Sequence, residues 1–483
     1  MDVQYKGHDR ILYGFILSVL TFWLFANSML NVSSVMTAEL SIEANTMNIA
    51  VSLAALFSGI FIVVIGGLAD SIGRTRVFRW GLGLAIAGSL LIYLTPSGDS
   101  APAFLLFGRA LQGLSAAFVM PTSLGMIKIF WQGAERQRAI SLWSIGTFGG
   151  SGLSSLTGGI IASTLGWRYI FLLAVIIALV ALWLTKDLPE NKRENAGKYK
   201  TDWKGIIIFV IAMITLQVFI TKGNQFGWTN WLTIVLAAIA IIFAYLFIKF
   251  ELKYPFAFVD LHLFNNNIFT GAVLSNFFIN GTAGLLIVSL TLMQKGADYT
   301  PMQAGLLTLG FALAVILFMR VGEKLLQHFG AKKPIIWGAL IIAASLIILM
   351  QTQLMAYQYQ ILAILAYTLF GVGLAFFATP ATDAALSNLP ENQAGSGAGI
   401  FKMASSLGAS FGVAISAGIY TALANREEPI EWLSNLVIFV GRQDNVSIRQ
   451  GAMLALAFCL LLVVLVIITV IIKIPNDTGK QIK

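Results

Sequence analysis

The residues best suited to carry chemistry are ionisable side chains that fall inside or beside long apolar runs. Arg109, Lys402 and Asp383 interrupt such runs, and Glu39 closely follows the first one. Charged groups at membrane depth are costly and usually belong to ion or substrate pathways. A carboxyl group partly withdrawn from water holds a proton more readily, which suits a proton carrier. These four residues are therefore candidates for proton coupling.

Each of the four also has a purely structural explanation. Arg109 could bond the backbone carbonyls of a neighbouring helix, and the long stem of Lys402 could carry its charge to the membrane surface. Asp383 lies near the end of its run, and Glu39 lies just outside the first, so both could be solvated. The sequence leaves both explanations open.

A second polar group occupies a short turn between two apolar runs, Thr46 to Leu68 and Val77 to Leu94. An acid lies close to several arginines there and should stay ionised and paired. Flanking glycines permit close approach of neighbouring backbone. We interpret the turn as a gating latch, with arginines that also set membrane topology. Its proposed members are Gly67, Asp70, Gly73, Arg74 and Arg76.

Two matched pairs of asparagines are candidates for substrate binding. Asn27 and Asn31 lie four residues apart on one helix face, and Asn276 and Asn280 repeat this spacing in the second half. They could face a central cavity or form hydrogen bonds that pack helices together. Aromatic residues could line an apolar cavity for flat molecules, or face lipid and neighbouring helices. These are Phe22, Phe25, Trp143, Phe148, Phe277, Phe376 and Phe377.

The composition places these residues in a membrane. Of 483 residues, 58% are apolar and 11% are charged, against about 25% charged residues in soluble domains. The net charge of +9 collects in loops, so membrane topology explains it better than nucleic-acid binding. A single cysteine excludes a disulfide within the chain. The sequence has no metal-ligand spacing and no Gly-x4-Gly-Lys-Ser/Thr loop, so we expect no metal, no cofactor, no enzyme activity and an ion gradient as the energy source.

The apolar runs predict an all-α polytopic membrane protein with about 14 spans in a six-plus-two-plus-six order. If the N-terminus is inside, 23 Lys and Arg residues lie in inside segments and six in outside segments. This bias predicts that both termini are cytoplasmic. The expected domains are a six-helix bundle (1–185), a cytoplasmic linker (186–203), two inserted helices (204–250), a second six-helix bundle (251–474) with an outside loop (425–450), and a cytoplasmic tail (475–483).

The turn from Gly66 to Arg76 fits the signature of the major facilitator superfamily, and longer stretches resemble its 14-span drug:proton antiporter branch. The longer matches include Thr21 to Ala26, Asn48 to Ser52, Gly133 to Ala139, Ser275 to Phe277, Arg320 to Gln327 and Lys402 to Gly408. Within that branch the chain most resembles quinolone efflux pumps. The resemblance implies two six-helix bundles plus two extra helices, and a monomer in the bacterial cytoplasmic membrane. It implies proton-coupled export of fluoroquinolones and other amphipathic drugs or dyes by alternating access, with Arg109 linked to proton transfer.

The chain departs from the branch at two places. Ala26 stands where the first helix of the branch usually has an acid, and Ser154-Ser155 stand where its fifth helix usually carries Gly-Pro. Proton coupling must therefore rest on other residues or be weaker than in the branch. The embedded bases Arg109 and Lys402 favour an alternative, transport of an amphipathic anion such as a fatty acid or lipid. A membrane sensor is a third interpretation, and the absence of a soluble signalling domain disfavours it.

Overall fold

The structure is a computed structural model that describes residues 7–131, 135, 138–139, 142–143, 145–190, 202–255, 257–354, 356–386, 389 and 394–476. Helices make up nearly all of this part, which contains no strand. Large apolar side chains such as Trp231, Ile241 and Leu317 are about 70% exposed. In water this would be unfavourable, so the exposed surface is one that faces lipid.

The helices follow the predicted order. The first group is α1 (Asp9–Leu40), α2 (Ala44–Ile72), α3 (Arg74–Tyr93), α4 (Ala101–Phe130), α5 (Ile145–Thr164) and α6 (Arg168–Leu184). Two helices follow, α7 (Trp203–Phe226) and α8 (Trp231–Glu251). The second group is α9 (Asn267–Gly296), α10 (Pro301–Phe329), α11 (Lys332–Leu349), α12 (Ala356–Leu386), α13 (Ala394–Ala424), a short α14 (Glu431–Leu436) and α15 (Val446–Lys473).

The number of spans differs from the predicted 14 at the pair α5 and α6. Within the described residues, 12 helices are long and apolar enough to cross a membrane, or up to 13 if this bent pair is one span. The pair bends by 118° at a short break, where Gly166 takes a φ of +104°. The difference in the number of spans has a local reason: α5 is rich in small residues, and α6 has only 17 residues.

The two groups of helices pack against each other along three seams. Helix α2 lies along α13, α5 lies against α10, and the second half of α1 contacts α9. Helices α7 and α8 pack on each other, and α7 covers the outside of the α2–α13 seam. We call the end of the bundle with Asp9 and Gly73 the proximal end, and the opposite end the distal end.

Helix α1 is not uniform at mid-depth. A π-helical turn (Thr21–Phe25) and a 3-10 turn (Ala26–Ser28) interrupt its α-helical ladder. Such turns free backbone carbonyls, which need another donor when they are buried. The interruption therefore marks a place where another part of the chain bonds to α1.

Candidate substrate path and gates

Arg109 supplies the donor that the interrupted part of α1 requires. Its guanidinium is almost completely buried and donates to Ala26 O at 3.0 Å, Ala50 O at 2.8 Å and Val51 O at 3.0 Å. It also donates to Gln112 Oε1 at 2.7 Å. The side chain thus ties α4 to α1 and α2, and one of its bonds goes to the backbone of Ala26 in the interrupted turn of α1.

Sequence reasoning missed Gln112 as a partner of Arg109. Gln112 lies three residues after Arg109 on one face of α4, and its amide donates to Ser89 Oγ at 3.1 Å. This extends the buried network to α3. The i, i+3 spacing of an arginine and a glutamine inside an apolar run is the signal that would have revealed the pair.

The second asparagine pair lies at the contact between α9 and α13, the helix that carries Lys402. Asn276 Nδ2 donates to Phe401 O at 2.8 Å, next to Lys402 in the chain. Asn280 Nδ2 donates to Asn276 Oδ1 at 2.9 Å and to Asn276 O at 2.8 Å. The Asn276 side chain therefore links α9 to α13. Asn280 is half-buried, and the side chain of Lys402 is exposed within its span.

Asp383 lies in the last proximal turn of α12. It follows Pro380 within the helix and is half-buried. Thr382 beside it is exposed. The residue is thus partly buried near the proximal surface, and its role as a proton carrier stays a prediction.

Glu39 lies at the distal end in a network of its own. Its carboxylate accepts a hydrogen bond from Trp167 Nε1 at 2.7 Å and forms an ion pair with Arg168. Arg168 also donates to Thr95 O at 3.1 Å and stacks over the Trp167 ring at 4.4 Å. The network joins the distal end of α1 to the break between α5 and α6, which is a role that sequence reasoning did not assign to Glu39.

Asn31 joins the two groups of helices near the distal end. The side chain is 1% exposed and donates to Ser155 O at 2.7 Å and to Pro301 O at 2.9 Å. Gln294 Nε2 donates to both Asn31 Oδ1 and Asn31 O at 2.8 Å, and Ser34 also bonds Gln294. The Asn31 side chain therefore forms an interhelical contact between the two groups of helices in this structure. Asn27, one turn earlier, is half-buried and has no hydrogen-bond partner among the described residues.

Other hydrogen bonds between the halves reinforce the distal closure. The Met302 amide donates to Ser163 Oγ at 3.2 Å, and Asn48 Nδ2 donates to Thr421 Oγ1 at 3.0 Å. A small polar cavity remains at this end. It is lined in part by Ser33, Thr37, Thr291 and Lys295.

Close approach of α5 to α10 depends on glycines, which have no Cβ atom. A methyl group added at Gly305 would come within 2.6 Å of Ser155 O, and one added at Gly152 would come within 2.9 Å of Ala312 Cα. Larger residues would separate the helices. The glycine-rich sequence of α5 thus forms part of the contact between the halves.

Helix α7 connects both halves at the edge of the α2–α13 seam. Gln217 Nε2 donates to Ser52 Oγ of α2 at 2.6 Å, and Gln217 Oε1 accepts a hydrogen bond from Ser410 Oγ of α13 at 3.5 Å. Lys222 forms a 3.1 Å ion pair with Glu43 at the distal end. Hydrogen bonds from Lys222 and Gln225 lower the pKa of the Glu43 carboxyl. Helix α7 therefore forms hydrogen bonds and an ion pair with the two main groups of helices and does not only fill lipid-facing space.

The predicted latch packs against the start of the linker and against α4. Gly73 takes a φ of +115°, which favours glycine at the turn. Thr75 N donates to Glu190 Oε1 at 3.1 Å, and Thr75 Oγ1 donates to Pro189 O at 2.7 Å. A methyl group at Gly125 would lie 3.3 Å from Arg74 Nε, so Arg74 covers the α4 backbone.

Some predicted residues lie outside the described part. The side chains of Asp70 and Phe148 are not described, nor are residues 191–201 of the linker and 477–483 of the tail. For these, the sequence predictions stand as predictions. Arg76, in the same turn, is exposed.

The predicted aromatic residues fall into two groups. Four side chains are buried, and Trp143 among them donates to Ser123 Oγ at 3.0 Å. Two are partly exposed, Phe277 and Phe376. The partly exposed rings are the ones available to a ligand without repacking. The four buried residues are Phe22, Phe25, Trp143 and Phe377.

The loop at residues 425–450 forms a small folded cap at the distal end. Leu433, Phe439, Val446 and Met453 build a satellite core, and Arg449 donates to Thr352 O at 2.6 Å. At the surface, Arg442 pairs with Asp298 and Asp444, and its hydrogen bond holds the pKa of Asp444 below its usual range. The loop is therefore anchored to the ends of α9, α11 and α15.

Similarity to known proteins decides the family. The sequence profile of the Major Facilitator Superfamily matches residues 14–413. This chain belongs to the Major Facilitator Superfamily. As a member of the superfamily it is a multi-pass membrane transporter and not an enzyme.

Curated relatives support the family assignment, and solved structures support the fold. Quinolone resistance protein NorB of Staphylococcus aureus strain MRSA252 is 42% identical over 478 residues, covering 99% of this chain and 98% of the relative. NorB of strain COL is also 42% identical over 478 residues, with the same coverage. Among solved structures, the POT family transporter PepTSo has a TM-score of 0.64 at 15% identity, over 95% of this chain and 96% of its own. The nucleoside transporter NupG has a TM-score of 0.64 at 12% identity, over 95% of this chain and all of its own. The structural likeness shows the fold alone.

Proposed function

We propose that the protein exports fluoroquinolones and other amphipathic drugs or dyes in exchange for protons, by alternating access across the bacterial cytoplasmic membrane. The observation that carries the proposal is the 42% identity with a quinolone resistance protein along essentially the whole of both chains. The excess of Lys and Arg at the proximal end supports a cytoplasmic position for that end and for both termini. The distal side, closed through Asn31, then faces outward, and the protein acts as a monomer.

The substrate path in this proposal runs between the two halves. Phe277 and Phe376 offer partly exposed rings, and Asn27 and Asn280 offer polar groups that are half-buried. Flat amphipathic molecules fit a cavity that combines aromatic walls with a few polar groups. Substrate and proton shift the transporter between states only through different affinities for each state.

Proton coupling is tested by dye and norfloxacin efflux in energised inverted vesicles, with and without a protonophore. Asp383→Asn is expected to lower protonophore-sensitive transport about tenfold or more, equal to at least ~1.4 kcal/mol, because the amide cannot carry the proton. Asp99→Asn, at an exposed position at the opposite end, is the matched control. Full protonophore-sensitive transport by Asp383→Asn would move the proton site to Glu39 or to the surroundings of Arg109 and Lys402.

The proximal turn is proposed to act as the gating latch. Asp70→Asn is expected to abolish export without loss of protein from the membrane, because the neutral side chain cannot pair with the nearby arginines. Efflux and membrane protein level are measured together, with Asp99→Asn as the control for loss of one surface carboxylate. Undiminished export by Asp70→Asn would contradict the latch.

The embedded bases support a second candidate, transport of an amphipathic anion such as a fatty acid or lipid. The supporting observation is that Arg109 and Lys402 place two positive charges inside spans, where few acids lie. Lys402→Ala is expected to lower uptake of a fluorescent fatty acid into inverted vesicles about tenfold or more if this candidate is correct. Lost anion transport with intact export of a cationic dye would separate the two activities. Intact anion transport would argue against the second candidate.

A further inference from the structure

The proximal base of the inserted helices contains two carboxyl groups that drug export does not use. Asp202 precedes α7 and is 3% exposed, and Glu251 ends α8 and is 1% exposed. In each carboxyl group, one oxygen accepts a hydrogen bond from a backbone N–H. Gly205 N donates to Asp202 Oδ1 at 2.9 Å, and Val259 N donates to Glu251 Oε2 at 3.3 Å.

The other oxygen of each carboxyl group is buried without a hydrogen-bond donor. These atoms are Asp202 Oδ2 and Glu251 Oε1. Both approach the same side of Gly205, since a methyl group added there would overlap each of them. The two unsatisfied oxygens therefore share one small space, and the lack of a side chain at Gly205 makes room for them.

Among the described residues, the surroundings of the two carboxyl groups provide no compensating positive charge. Phe209, Phe247 and Phe258 form an aromatic cluster one turn away, with ring centroids 4.8 to 5.7 Å apart. Lys204 and Lys253 are exposed, and neither forms an ion pair with the two carboxyl groups in the part of the chain that the structure describes.

The remaining titratable groups nearby have other contacts. The Lys249 ammonium lies over the Tyr245 ring, and His262 bonds Asp260. The Tyr254 ring stacks on Phe250. None of these contacts brings a positive charge to Asp202 or Glu251.

Two ionised carboxylates in such a space would repel each other, and each would keep an unsatisfied oxygen. One shared proton removes one of the two negative charges. It also supplies a hydrogen-bond donor, because a protonated carboxyl group can donate a hydrogen bond whereas a carboxylate only accepts one. We propose that Asp202 and Glu251 share one proton and form a proton-binding site at the proximal base of the inserted helices. This site lies outside the path between the two halves.

The shared proton would hold three segments together. Asp202 lies near the end of the linker, and Glu251 is the last residue of α8. Val259, which donates to Glu251, lies on the segment that leads into the second bundle. Loss of the proton leaves two negative charges in contact and loosens this junction. The connection between the linker and the second bundle is therefore sensitive to pH.

Infrared spectroscopy of the purified full-length protein tests the site directly. We expect a protonated-carboxyl C=O band at neutral pH that disappears on alkaline titration, and that is lost in both Glu251→Gln and Asp202→Asn. Glu323→Gln, which changes an exposed glutamate, is the matched control and should keep the band. The absence of such a band from the wild-type protein, or its persistence in both variants, would overturn the proposal.

Thermal unfolding across pH supplies a second readout. The folded dyad holds a proton that the unfolded carboxyl groups release, so the wild-type melting temperature should fall as pH rises through the titration of the dyad. Glu251→Gln mimics the protonated form and should flatten this dependence, whereas Glu323→Gln should not. If either Glu251→Gln or Asp202→Asn fails to reach the membrane, the other variant is measured.

Sodium provides the alternative occupant of the same space. If melting temperature followed sodium concentration and not pH, the dyad would be a cation site and the proton proposal would be overturned. Neither measurement depends on drug export. A failure of the dyad is therefore distinguishable from a failure of the proposed transport function.

Discussion

Arg109→Lys is expected to lower efflux on the order of 100-fold, equal to about 2.7 kcal/mol. A lysine keeps the charge but lacks the planar fork that reaches several carbonyls at once. It cannot satisfy Ala26 O, Ala50 O and Val51 O together, and buried carbonyls without a donor cost roughly 1–3 kcal/mol each. The interrupted turn of α1 would lose its support. Efflux from inverted vesicles, normalised to membrane protein level, measures the effect.

Arg426→Lys is the matched control for this experiment, because Arg426 is exposed at the distal surface. It should leave efflux unchanged. If Arg109→Lys transports at the wild-type rate while Arg109→Ala does not, the charge of residue 109 matters and the carbonyl contacts do not. That result would favour the proton-transfer role which the family resemblance implies over the structural role.

A disulfide between residues 163 and 302 is expected to stop transport, because it would fix the distal side closed. Ser163 Oγ lies 3.2 Å from the Met302 amide nitrogen, across the contact between the two halves. This proximity is compatible with the roughly 4.4–6.8 Å between Cα atoms that a disulfide needs. The double variant Ser163→Cys/Met302→Cys should lose more than about 90% of efflux on oxidation, a tenfold change or ~1.4 kcal/mol, and regain it on reduction.

The background for this test is Cys459→Ser, since the single native cysteine is fully buried. Each single cysteine variant is a control and should be insensitive to oxidant. Unchanged efflux with a quantitatively formed disulfide would mean that the α5–α10 contact does not open during transport. Alternating access by separation of the distal halves would then be wrong for this protein.

The sequence by itself determined the class of protein and the positions that could carry charge chemistry. The length and apolarity of a span are local properties, so they can be read without knowledge of neighbours. Arg109 and Lys402 could be recognised as embedded bases for the same reason. The turn around Gly73 was also predictable, because a short polar segment between two apolar runs fixes a helical hairpin.

Only the tertiary structure decided which partners these residues have. Asn31 and Asn276 looked equivalent in the sequence, yet Asn31 bonds the opposite half, whereas Asn276 bonds a helix of its own half. The sequence left Glu39 as either a proton carrier or a solvated acid, and only the structure shows its ion pair with Arg168. The same applies to Asp202 and Glu251, which come together only when α7 and α8 pack as a hairpin. Hydrogen bonds and ion pairs between distant segments depend on the packing of whole helices, and the apolar pattern that identifies a helix does not specify which polar side chains will meet.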